Sequence, residues 1–184
     1  MGYLIFFEAI TTTIKTHTSY TEVCVFYAKK ENTIMKTEIN VEELKQDAVE
    51  VFHNGFTCSE SVIYAIRKHF DLDLPDDVIA MSSGFPWGLG GGGCICGALA
   101  GGTMCLGYFF GRRTPGESVE KCFQLTHEFH DYFKETCGGT CCRVLTKGKE
   151  KKSPERKAQC TKFVENTVEK VAEIILREQE HFTV

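Results

Sequence analysis

Ten cysteines in 184 residues make sulfur the element whose chemistry this chain must explain. Cys94 and Cys96 stand one residue apart in LGGGGCICGALAGG, residues 89–102, where a glycine run gives way to small apolar residues. Cys137, Cys141 and Cys142 surround Gly138-Gly139, Cys58 lies in GFTCSES, and Cys160 sits in a long amphipathic segment. The thiolate is the form that ligates metal or attacks a disulfide, and the positive end of a helix favours it. Cys58 is expected in the first turn of a helix, and Cys94 and Cys96 at the comparable place after Gly90 to Gly93. All three thiols are therefore expected to be more acidic than a free cysteine. Glycine there lets backbone N–H groups approach an anionic group closely. Phosphate is a poor alternative occupant, because the run lacks the Lys-Ser/Thr ending of a P-loop and no strand precedes it.

The elements that must position these thiols read as helices. Asn40 with Glu43, and Thr57 with Glu60, have capping-box spacing. Pro75 followed by two acids starts a short helix, and Ser153-Pro154 supplies an N-cap and a proline at the first helical position. Val41, Leu44, Ala48, Val51 and Phe52 form one stripe. Val119, Cys122, Phe123, Phe129 and Phe133 form a second, and a third runs through Phe163, Val164, Val168 and Val171, with Cys160 turned inward. A helix is expected over Cys94–Phe110, its Gly97, Ala98, Ala100, Gly101 and Gly102 allowing another helix to come close. No strand-rich stretch or internal repeat competes. The expected fold is all-α, a single-domain helical bundle with a Gly-rich loop leading into a buried small-residue helix. Residues 35–184 make up that domain. Residues 1–34 are Thr-rich and without helical periodicity, and Met35 is a candidate initiator. They are expected to be an extension, either poorly ordered or a start-site artefact.

Cys58 in GFTCSES, CGALAG from Cys96 to Gly101, CRVL at Cys142 and Cys160 before a long terminal helix run in the order C, CGAxxG, C, C. In this the chain resembles the C_GCAxxG_C_C family, whose members are regarded as redox-active, over roughly residues 41 to 177. The resemblance implies a small helical protein whose Cys58, Cys96, Cys142 and Cys160 act together, at an iron–sulfur or similar metal centre or as redox thiols. A similar arrangement is associated with the cluster-bearing part of split-Soret cytochromes; haem is not carried over, since the chain has no C-x-x-C-H motif. These cysteines lie 38, 46 and 18 residues apart, so only folding can gather them. Four thiolates suit an iron–sulfur cluster or structural zinc, and spacing does not choose between them. Cys94, Cys137 and Cys141 are secondary candidates, with CRVL favouring Cys142 over Cys141. Cys105 and Cys122 fall on apolar helical faces and read as core, and Cys24 is given no role.

The leading expectation is a cytoplasmic protein using an iron–sulfur cluster for electron transfer or redox sensing. One alternative is thiol–disulfide exchange, with Cys58 or Cys96 attacking and Cys94 or Cys142 resolving. The other is a zinc-stabilised helical binding module. No substrate-specific catalytic set is legible, so whether the protein is an enzyme stays open. A net charge of −4 with dispersed cations argues against nucleic acid. Glu8 within the first apolar run and the absence of a basic n-region argue against a secretory signal. Residues 94–110 reach only the lower edge of a membrane span, and a buried helix is expected instead. An unidentified redox partner and a homodimer are both compatible with the sequence. Trp87 and Phe85 are expected to cover the glycine loop. His53, His69, His127 and His130 are read as surface or helix-end residues.

Overall fold

The computed structural model describes residues 39–180, and the extension expected over residues 1–34 falls outside them. Among the described residues the chain is helical, with no strand and a single isolated β-bridge between Ile95 and Cys141. The helices are α1 (Val41–His53), α2 (Cys58–His69), α3 (Asp77–Ser82), the distorted turn α4 (Pro86–Leu89), α5 (Gly97–Phe110), α6 (Glu120–Cys137), the short α7 (Cys142–Leu145) and the long α8 (Pro154–Glu180). The all-α bundle is thus the fold the sequence predicts.

Local chemistry sets several helix starts. The Glu43 N–H donates to Asn40 Oδ1 at 3.2 Å ahead of α1, and the Arg156 N–H donates to Ser153 Oγ at 3.2 Å ahead of α8. At α2 the Thr57 N–H donates to Glu60 Oε2 at 2.6 Å, the return half of a capping box. That box fixes Cys58 as the first residue of α2.

The core lies where α5 meets α2, α6 and α8, with α1 packed on α2 and α8. Val62, Ile66, Phe129, Phe133, Val168 and Ile175 are almost completely buried, and each such side chain contributes roughly 1.5–3 kcal/mol relative to exposure. α5 reaches this centre because it is made of small residues. A Cβ on Gly101 would stand 2.8 Å from the Ser59 carbonyl oxygen in α2, and one on Gly102 2.7 Å from the Phe129 ring in α6. Cys105 is buried in the same core, as expected.

Two expectations need correction. Helix α5 begins at Gly97 rather than Cys94, and Cys96 is its N-cap with extended backbone (φ −67°, ψ 133°). Residues 93–96 instead pair with residues 140–143. The Cys96 N–H donates to Thr140 O at 2.8 Å, the Cys142 N–H to Cys94 O at 2.7 Å and the Arg143 N–H to Gly93 O at 3.0 Å. Gly93, at φ +77°, cannot extend the helix backwards, so the loop carbonyls find partners across the chain. On α6 the buried stripe is Leu125, Phe129 and Phe133, while Phe123 is 68% exposed and Cys122 only half-buried. Phe123 lies six residues before Phe129, about 240° around the helix, and so leaves the face set by the four-residue spacing.

Candidate thiol-lined site

Cys58, Cys96, Cys142 and Cys160 line one cavity of about 330 Å³, together with Trp87 and Arg156. Each thiol comes from a different helix. Cys58 opens α2, Cys96 caps α5, Cys142 opens α7 and Cys160 lies in the second turn of α8. The backbone rungs between residues 93–96 and 140–143 hold Cys96 and Cys142 in fixed relation although 46 residues separate them. Gly97 is the tightest point of the wall, since a Cβ there would collide with the Cys58 sulfur. This gives the glycine of CGALAG a spatial reason.

Burial, rather than the helix ends, governs Cys58, Cys96 and Cys160. Desolvation, reinforced by the neighbouring Cys160, pushes Cys58 from 9.0 up to about 12, against the opposing pull of the Ser59 N–H. Cys96, 5% exposed, is raised by burial and by Cys58 despite the N–H groups of Ala98 and Leu99. Cys160 is raised by burial and by Cys142, with Arg156 opposing. The rise at Cys58 amounts to roughly 4 kcal/mol against ionisation, whereas a helix terminus supplies about 0.3–2 kcal/mol. The expectation of acidic thiols at helix starts is therefore corrected for Cys58 and Cys96, which stay protonated near neutrality.

Cys94, Cys137 and Cys141 do not line this cavity. Cys94 is exposed in the loop. The Cys141 thiol donates to the Gly93 carbonyl at 2.8 Å, bracing the paired segment, so of the adjacent pair it is Cys142 that faces the cavity. Cys137, at the end of α6, is half-buried beside Asn166. Among the described residues no three Cys, His, Asp or Glu side chains converge closely enough to hold a single metal ion. The histidines are engaged elsewhere, His69 with Asp47 at 2.6 Å, His53 with Thr161 at 2.9 Å and His130 with Asp131 at 2.8 Å.

Sequence reasoning missed Arg156, which is 9% exposed and lines the cavity. Its guanidinium carbon lies 4.8 Å from the centre of the Trp87 ring, and Nη2 donates to Cys142 Sγ at 3.6 Å. Its place four residues before Cys160, on the same helix face, was the available signal. Trp87 does more than cover the loop; it forms cavity wall with a left-handed backbone (φ 59°, ψ 17°), a conformation costing about 1–2 kcal/mol outside glycine.

Comparison with known proteins leads to a family named for a cysteine pattern of this kind. The family model "Putative redox-active protein (C_GCAxxG_C_C)" matches residues 56–174, and the chain belongs to this family. An "Uncharacterized protein" of Archaeoglobus fulgidus is 26% identical over 136 residues, 70% of this chain and 90% of the relative. No solved structure matches. None of the described helices is long and apolar enough to cross a membrane.

Proposed function

We propose that Cys58, Cys96, Cys142 and Cys160 together hold an iron–sulfur centre used for electron transfer or redox sensing. The observation that carries this reading is that four cysteines distant in sequence, and matching the family order, line one cavity. The donor set fits such a group. All four are free thiols, and a coordinating metal deprotonates a thiol outright, which overcomes the burial that otherwise keeps Cys58 and Cys96 neutral. When bound, the cluster supplies one-electron exchange, with a potential set by charge, hydrogen bonding and exposure.

The chain's own residues do the rest. The N–H groups at the starts of α2 and α5 face the Cys58 and Cys96 sulfurs, Arg156 offsets negative charge beside Cys142, and the apolar wall excludes water. Thiol–disulfide exchange is weaker on this geometry, because Cys58 and Cys96 are too basic to attack at neutral pH. Structural zinc would draw on the same four thiols, and redox silence with chelator-induced unfolding would mark it. Nine free thiols among the described residues suit a reducing compartment such as the cytoplasm.

The test is anaerobic purification and reconstitution, with iron, acid-labile sulfide and visible absorption measured. Iron and sulfide in near-equal amounts with a broad visible band are expected, and they should be lost in Cys58→Ala and Cys142→Ala. A colourless, metal-free protein after reconstitution would falsify the cluster.

A further inference from the structure

The cavity contains a cation whose partner the thiols do not fully supply. Arg156 is more than nine-tenths buried, and its Nε has no hydrogen-bond partner. Nε and Nη2 form one edge of the guanidinium fork, the edge that grips a carboxylate with two parallel hydrogen bonds. Of that edge, Nη2 reaches only the Cys142 sulfur, at 3.6 Å, and Nε reaches nothing. A buried guanidinium with an unmet donor is costly unless an anion completes it.

No Asp or Glu lines the cavity, whereas Lys152 and Lys157 do, so in the metal-free protein, where Cys58 and Cys96 are neutral, the field inside favours an incoming anion. Most of the remaining wall is apolar. Phe52, Phe56, Leu145 and Phe163 face the same space, and 330 Å³ falls within the range of small-molecule sites. A bare inorganic anion would leave that wall unused. The guanidinium carbon sits 4.8 Å from the centre of the Trp87 ring, a contact that holds the group in place.

We infer that the cavity binds a small organic carboxylate, its anionic group on the Nε–Nη2 edge of Arg156 and its apolar body against Phe163 and the neighbouring phenylalanines. Cys142 meets only the Nη2 donor of that edge, which leaves Nε for the ligand. The site does not rest on the cluster reading, because it needs only the arginine, the aromatic wall and the space between them.

Trp87 is the chain's single tryptophan and touches Arg156, so its fluorescence reports on the site directly. The full-length chain, isolated anaerobically and assayed for iron and sulfide, is titrated with benzoate and, separately, with inorganic phosphate. Calorimetry runs in parallel. A saturable change in Trp87 emission with benzoate is expected, with phosphate binding at least tenfold more weakly. Arg156→Met should weaken benzoate at least tenfold, and Lys134→Ala, at an exposed position of α6, should leave it unchanged. Arg156→Lys keeps the charge but not the fork, and should fall between wild type and Arg156→Met. If Arg156→Met does not fold, as judged by circular dichroism, the lysine variant decides: benzoate affinity equal to wild type overturns the forked contact. No saturation by either method, or phosphate binding as tightly as benzoate, also overturns the inference. A sample that takes up no iron on anaerobic reconstitution yet still binds benzoate retires the cluster and leaves this site standing.

Discussion

The cavity-lining cysteines and the remaining cysteines of the same bundle are built differently. Cys58, Cys96 and Cys142 each stand at a helix start, and with Cys160 they share a space. Cys105 has no helix end and no place in that space; it fills the core as a small apolar residue would. Both groups contain a thiol raised to about 12, Cys58 in one and Cys105 in the other, so thiol acidity does not separate function from packing here. Position relative to the cavity does. The lesson is that a perturbed thiol is informative only with its neighbours.

The sharpest way to break this contrast is by substitution. Cys58→Ala or Cys142→Ala should reduce incorporated iron at least tenfold with little change in helicity, whereas Cys105→Ala should retain iron; equal loss in both groups would erase the distinction. Gly97→Val comes next. Its side chain must displace the Cys58 sulfur, and overpacking of this kind costs about 1–3 kcal/mol. Gly84→Ala, where an added Cβ meets nothing, should be silent in the same thermal melts.

The metal-free protein should also respond to alkali. The unfolded thiol ionises above about 9, while folded Cys58 and Cys105 hold their protons to about 12. The fold therefore binds more protons than the unfolded chain in that window. The stabilisation is complete below pH 9 and is lost as pH climbs through 12. Urea melts between pH 8 and pH 11 should show falling stability, with a shallower fall in Cys105→Ala. The smallest effect is expected at Cys94→Ser, an exposed loop position, where stability should stay within about 0.5 kcal/mol.

How much of this is legible without coordinates depends on whether the cause is local. The caps at Asn40, Thr57 and Ser153 are short-range chemistry, and the sequence announces them. The four family cysteines are legible through their order, although no spacing rule says that they share a cavity. The start of α5 is not legible locally, because Cys94 to Cys96 obey partners more than 40 residues away, which no local window contains. Phe123 is apolar enough to suggest the core, yet its angle around α6 carries it away from the face of Phe129 and Phe133. Arg156 was passed over because an arginine in a polar helix start looks solvated, and only the fold turns it inward over Trp87.

The backbone pairing between residues 93–96 and 140–143 also orders events in time. During synthesis the glycine loop emerges long before its partner segment, and Cys160 follows later still. Three walls of the chamber therefore wait for the fourth until the ribosome has passed residue 160, since chains fold largely as they appear. Nascent chains halted before residue 140 should leave Cys96 open to alkylating reagents, and completed chains should shield it.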